Sequence, residues 1–347
     1  MRLAEKLSVQ KEFDALGLGE VMLRLSPAGN ERIGQGDIFE KRAGGSELNV
    51  VSGISLLGLR TGVITKLPQN LIGLFIKNRI RFCGMSDDYI VFDETPGARL
   101  GIYYYEGGAY PKKPSVVYDR AGSAFTTLEL SDLPEETYAS TRLFHTSGIT
   151  LALTPHTRAL GVEMIRRFHE AGAVISFDCN YRANLWSEEE ARETILSILP
   201  MVDVLFVSEE TSRRMMQQTG TLEEIQRGYC EKYGIEVVCS TARKVVSPKQ
   251  HTFSSMIYSA AENQYHTERP YENIDVIDRI GSGDAYVAGV LFGLLNTGSL
   301  SDALEFGDAM SAVKNTVPGD LPDSSYAEIR RIIKAHKSEG AQSEMDR

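Results

Sequence analysis

Asp278-Arg279-Ile280-Gly281-Ser282-Gly283-Asp284, continued by Ala285-Tyr286-Val287-Ala288-Gly289, places small residues and a carboxylate where a loop turns into a helix. Glycines let backbone approach a ligand closely. The free N–H groups of a helix's first turn favour anions. The apolar run from Ala285 to Leu295 supplies the helix. Asp284 then has two possible roles. It could cap the helix, as Asp often does, or act as a general base facing a bound phosphate. Local spacing leaves both open.

Two further clusters have residue types suited to binding. Ala43-Gly44-Gly45-Ser46-Glu47-Leu48-Asn49 precedes a helical pattern. Taken alone, a Gly-Gly there is a turn signal, while Asn offers both a donor and an acceptor. Asp178-Cys179-Asn180-Tyr181-Arg182, then Leu185-Trp186, closes an apolar run that reads as a buried strand. Such a cluster is either a solvated loop or a binding site at the mouth of a sheet.

The elements that must carry these residues alternate along the chain. Apolar runs at 13–18, 61–66, 143–147, 173–179, 203–207 and 235–240 read as strands. Amphipathic stretches at 46–58, 70–83, 156–171, 188–199, 209–218, 221–233, 284–296, 301–316 and 325–336 read as helices. That alternation implies a mostly parallel sheet covered on both faces, which binds ligands at the carboxyl ends of its strands. Residues 20–26, 98–105 and 115–120 do not fit it. They read as further strands with exposed aromatics, either an edge hairpin or a small lid over the site. Residues 1–11 and 337–347 read as flexible termini.

Composition narrows the function. The chain has 347 residues, 42% hydrophobic and 24% charged, as in ordinary globular proteins. A net charge of −10 without a basic block argues against nucleic acid as a partner. Cys83, Cys179, Cys230 and Cys239 are widely spaced with no C-x-x-C, which suggests reduced thiols and a cytoplasmic protein. No apolar run is long enough for a membrane span, and the N-terminus lacks the core of a signal peptide. No P-loop and no G-x-G-x-x-G after a strand is present, and the six histidines show no zinc spacing.

The 278–284 segment resembles the D-T-x-G-A-G-D motif of the ribokinase-like (PfkB) sugar kinases, and residues 43–49 resemble their A-G-G-x-x-x-N signature. The resemblance spans about residues 13–335. It implies a three-layer α/β/α sandwich over 12–336, with a mostly parallel central sheet and a small β-sheet lid built from segments about 20–43 and 97–123. It also implies catalysis by Asp284 as base, with the amides of Gly281, Ser282 and Gly283 as anion hole, and substrate binding by Gly44, Gly45 and Asn49. The D-x-N-y-R-x-x-L-W run is similar to that of 2-keto-3-deoxygluconate kinases and some fructokinases. On that similarity Tyr103, Tyr118, Arg120 and Arg182 join the substrate site, with the arginines meeting a sugar-acid carboxylate.

The cofactors implied are ATP and Mg²⁺, with a possible monovalent cation, and the partners a small sugar acid and a second copy of the chain through the lid or in a larger oligomer. Ser208, Thr241, Arg243, Gly281 and Gly283 are the implied nucleotide contacts; no metal ligands are assigned. Three positions depart from the pattern. Arg279 stands where Thr is usual, Thr211 where a Glu is usual with Glu209 or Glu210 as substitutes, and Ser240–Lys244 lacks the glycines of a nucleotide stretch. Those departures keep two rivals open: a kinase of a neutral sugar such as fructose, and a silent sugar-binding protein. Pro318-Gly319-Asp320 resembles a turn near the adenine.

Overall fold

The computed structural model describes residues 3–29 and 31–338. The first seven strands are β1 (Phe13–Leu18), β2 (Met22–Pro27), β3 (Phe39–Gly44), β4 (Thr61–Pro68), β5 (Ile90–Asp93), β6 (Gly101–Glu106) and β7 (Ser115–Asp119). The rest are β8 (Thr141–Ser147), β9 (Val174–Asp178), β10 (Val204–Phe206), β11 (Val237–Ser247), β12 (Gln250–Ser259), β13 (Gln264–Thr267) and β14 (Tyr271–Asp275). The central sheet runs β13-β12-β11-β10-β9-β8-β1-β4-β5, with β14 on β12. It is parallel from β11 to β5 and antiparallel beyond.

Helices cover both faces, as continuous apolar strands require. On one side lie α1 (Leu3–Ser8), α2 (Ser46–Leu56), and the later α9 (Ser282–Thr297), α10 (Leu300–Asn315) and α11 (Tyr326–Lys337). On the other are α4 (Gly148–Ala152), α5 (Pro155–Glu170), α6 (Glu188–Ile198) and α8 (Leu222–Tyr233). Two helices remain, α3 (Leu71–Phe82) against β4 and α7 (Glu209–Arg214) after β10. Alternate residues of β1 feed the two cores: Leu16 and Leu18 one, Ala15 the other. The expected three-layer architecture is thus present, with its small separate sheet.

That small sheet has the order β3-β2-β6-β7. Its β2–β6 pairing is parallel and its outer pairings antiparallel. The aromatics of β6 are not all exposed as the sequence suggested: Tyr103 and Tyr105 are buried and only the alternate residues face out.

Two other expectations change. Residues 3–8, read as a loose extension, form α1, because Leu7 is buried and Lys6 Nζ reaches Asp203 at 2.8 Å. Residues 240–244, which stand where a nucleotide stretch is expected but lack its glycines, continue β11, paired residue by residue with β12. Without glycine and with Thr241, Val245 and Val246 nearby, strand is the favoured state. Of the C-terminal tail, 339–347 lies outside the described residues.

One glycine explains how the site is assembled. A Cβ on Gly53 of α2 would meet the Cβ of Ala288 at 2.7 Å. Its absence lets α2 and α9 close up, and this brings Ser46 and Asn49 against Asp284.

Candidate active site

Helix α9 starts at Gly281, which sits in the left-handed region with φ 82° and gives no side-chain cap. Asp284, in the first turn, does not cap it either. Ser46 Oγ donates to Asp284 Oδ1 at 2.8 Å, and Asn49 Nδ2 to Oδ2 at 2.7 Å. Asn180 Nδ2 donates to Ser46 Oγ at 3.0 Å, extending the chain of bonds to the β9 end. Burial raises the pKa of Asp284; the bonds from Asn49 and Ser46 and the charge of Arg182 oppose it. Asn49 Oδ1 is buried without a protein partner, a free acceptor beside that carboxylate.

A cleft of about 490 Å³ opens over Asp284. Gly45, Asn49, Tyr103, Tyr118, Arg120, Arg182, Gly281 and Gly283 all line it, although they come from four separate segments of the sequence. Two expected members are placed differently. Gly44 is packed under it: a Cβ there would meet Asp320 Oδ2 at 2.3 Å. Ser282 donates its amide to the Arg279 carbonyl at 3.2 Å and lines no cleft, which leaves Gly281 and Gly283 as the amides on the cleft side. Gly45 has φ 149°, and a Cβ would strike the Glu20 carbonyl at 2.5 Å, so only glycine fits.

The two arginines differ. Arg120 Nε donates to Glu20 Oε2 at 2.8 Å and its Nη2 to the same oxygen, so its charge is already met. Arg182 is exposed and, among the described residues, donates only to the Tyr181 carbonyl, at 3.2 Å. Asp178, in the same cleft, is pushed up to about 7 by burial and by the nearby Asp284.

Sequence reasoning missed the buried network below. Arg24 of β2 bridges Asp278 at 2.5 Å and Asp320 at 2.7 Å, and the Tyr103 hydroxyl donates to Asp320. Of the turn Pro318-Gly319-Asp320, Asp320 lines the cleft beside Gly44, whereas Pro318 and Gly319 line a larger groove. Lys314 Nζ, wholly buried, donates to the carbonyls of Asp278 at 3.2 Å and Val317 at 3.1 Å. A basic residue in a β2 strand and a Lys late in α10 carry no local signal of such partners.

The expected nucleotide contacts divide. Ser208 and Thr241 line a pocket of about 330 Å³ that shares Asp178, Asn180, Arg182 and Gly283 with the cleft. Of the two candidate glutamates, Glu210 lines it, whereas Glu209 is tied to Arg213 at 2.7 Å. Arg243 lies instead in a groove of about 1080 Å³ between β11–β12 and the small sheet, and in the cleft as well.

A parallel sheet with small-residue loops and a fixed carboxylate at its carboxyl edge defines a phosphotransferase-type site. The profile of the pfkB family of carbohydrate kinases matches residues 14–325, and the chain belongs to that family. It is 34% identical to the 2-dehydro-3-deoxygalactonokinase of Haloferax volcanii, over 91% of this chain and 95% of that one. It is 26% identical to a 5-dehydro-2-deoxygluconokinase of Clostridium beijerinckii, over 96% of both. The crystal structure of a 2-dehydro-3-deoxygluconokinase from Thermotoga maritima superposes with a TM-score of 0.88 at 33% identity, covering 94% of this chain and all of that one.

Proposed function

We propose that the protein transfers the terminal phosphate of ATP to the primary hydroxyl of 2-keto-3-deoxygluconate (2-dehydro-3-deoxygluconate) or its C4 epimer, giving the 6-phosphate and ADP. The observation carrying this is the buried Asp284 carboxylate, held by Ser46 and Asn49 in a cleft that Gly281 and Gly283 also line. The relatives named for keto-sugar acids support the substrate class.

In this reading Asp284 takes the hydroxyl proton as the new O–P bond forms and the bond to ADP breaks. A raised carboxyl pKa makes it a better base for that task. Ser46 and Asn49 hold its oxygens in place, and Asn49 Oδ1 accepts from the sugar. Gly281 and Gly283 donate to the moving phosphoryl oxygens. Tyr103, Tyr118 and Gly45 shape the sugar pocket. Ser208 and Thr241 serve the nucleotide side.

Asp178 and Glu210 line the pocket that also holds Ser208 and Thr241. That fits Mg²⁺ arriving on the nucleotide, with Asp178 or Glu210 as the one or two protein carboxylates it takes. Bound there, the ion neutralises charge on the transferred group. No added monovalent ion is needed near the loop, because the Lys314 ammonium already fills the carbonyl pair of Asp278 and Val317.

The substrate is tested by ADP release from a panel of keto-sugar acids and neutral sugars. Arg182→Ala is the informative variant. Arg120→Ala would also leave Glu20, with a 2% exposed side chain, unpaired. A charge-assisted bond is worth about 1.5–3 kcal/mol, so Arg182→Ala should raise KM for the keto-acid about 10- to 100-fold and spare fructose. Wild-type preference for fructose, or equal losses on both, overturns the sugar-acid reading. Equal rates in potassium and tetramethylammonium salts are expected; a strong potassium requirement contradicts the role given to Lys314.

The small sheet acts as a lid in this proposal. Strand β7 is exposed along its length, and a cis Tyr110–Pro111 bond lies in the loop before it. Hydrogen exchange over 98–120 should slow when keto-acid and a nucleotide analogue bind together. Unchanged exchange would rule out closure. A homodimer through that edge predicts twice the chain mass in light scattering; a monomer removes it.

A further inference from the structure

Of the cleft arginines that make no ion pair among the described residues, Arg182, Arg243 and Arg279, the last two are also the ones that line the larger groove. Arg279 Nε is buried with no protein partner. Neither guanidinium makes an ion pair among the described residues. Each faces the other closely enough that the pKa of Arg243 is lowered, by burial and by Arg279. His251, 4% exposed on β12, joins them: its Nδ1 is also buried and unpartnered, and both arginines depress its pKa after burial. Two like charges and two unsatisfied nitrogens in one wall are unfavourable unless an anion completes them.

The position says which anion. Both arginines line the cleft over Asp284 and also the larger groove, so they stand at the junction. Arg279 is two residues from Gly281. A sugar acid with its terminal hydroxyl at Asp284 puts its carboxylate at the far end of the molecule. The backbone of residues 240–244, where a glycine-rich loop would offer free amides to phosphates, is paired with β12. Side chains must therefore supply what that backbone cannot. A planar guanidinium is well suited to two phosphate oxygens. The carboxylates of Asp275, Asp278, Glu31 and Glu40 also line the groove; none makes an ion pair with either arginine, and Asp278 is held by Arg24 at 2.5 Å.

We propose that Arg279 and Arg243, backed by His251, form a two-guanidinium seat for the phosphate chain of the nucleotide, in place of a glycine-rich loop. This rests on the kinase reading above. The test is calorimetric titration of the full chain with the non-hydrolysable triphosphate AMP-PNP and Mg²⁺, alongside KM for the sugar acid. Arg279→Ala and Arg243→Ala should each weaken AMP-PNP binding about 10- to 100-fold and leave the sugar-acid KM within about 2-fold. Arg279→Lys keeps the charge but not the fork and should fall between, which also separates lost contact from lost fold; matched circular dichroism checks folding. Unchanged AMP-PNP affinity in both variants overturns the proposal, as does a loss confined to the sugar-acid KM. If the wild type binds AMP-PNP through these arginines yet phosphorylates nothing in the sugar panel, the seat stands and the kinase reading falls.

Discussion

Asp284→Asn should keep the fold and sugar-acid binding but lower kcat about 10²- to 10⁴-fold. Asn is close in shape and can still accept from Ser46 or Asn49, which donate to Asp284 at 2.8 and 2.7 Å. It cannot take a proton. Because Gly281 and not Asp284 occupies the cap position, little helix stability should go with the change. The wild type should show an acid limb in its rate profile. The base must be ionised, and burial raises its pKa above the ordinary 3.8. Activity should therefore rise with pH through a value higher than that of a free Asp. Turnover of Asp284→Asn above about half of wild type would remove Asp284 from proton transfer.

Arg24→Met is expected to give the largest loss of stability. Arg24 is 3% exposed and bonded to two buried carboxylates from distant segments. Removing one partner of a buried ion pair costs about 3–5 kcal/mol, because the charge left behind stays out of water. At roughly 2–4 °C per kcal/mol, Tm should fall by about 10 °C. The sign of its pH dependence follows from Asp320. Burial raises its pKa and Arg24 opposes the rise, so the variant raises it further. A carboxyl with a raised folded pKa binds protons more tightly folded than unfolded. Stability then drops as pH climbs from about 3.9 through the folded value. The deficit of Arg24→Met should thus be widest at neutral pH and narrow below pH ~4. Adding Asp320→Asn should restore part of it. A Tm within about 2 °C of wild type would show that the network is worth little to the fold.

The same network couples function to the small sheet. Arg24 lies on β2, while Asp278 opens the loop that ends in Asp284. In the proposed lid motion, movement of the sheet would act on the 278–284 loop through this charged contact.

Local chemistry made most of the architecture legible. Alternation of apolar runs and amphipathic stretches placed the helices within one to four residues, because each depends on periodicity within a short window. Strands β3, β5, β12, β13 and β14 were not read. Gln250–Ser259 alternates polar and apolar residues but carries histidine, serines and threonine, and its partners fix it as strand. Residues 240–247 are strand by the same pairing. Helix α1 escaped because its anchors are distant in the chain: Lys6 meets Asp203 across 197 residues, and the Leu7 carbonyl accepts from Arg142 across 135.

The sequence by itself determined the candidate base, its small-residue loop and the alternating order of elements. Each of these is a run of adjacent residues whose types suffice. Only the tertiary structure decided how the charges are shared. It paired Arg120 with Glu20 across 100 residues and Arg24 with Asp278 and Asp320 across 254 and 296. Among the described residues it left Arg182, Arg243 and Arg279 without an ion pair. Ion pairing depends on distances of a few ångströms between segments far apart in the chain, and no local pattern encodes them.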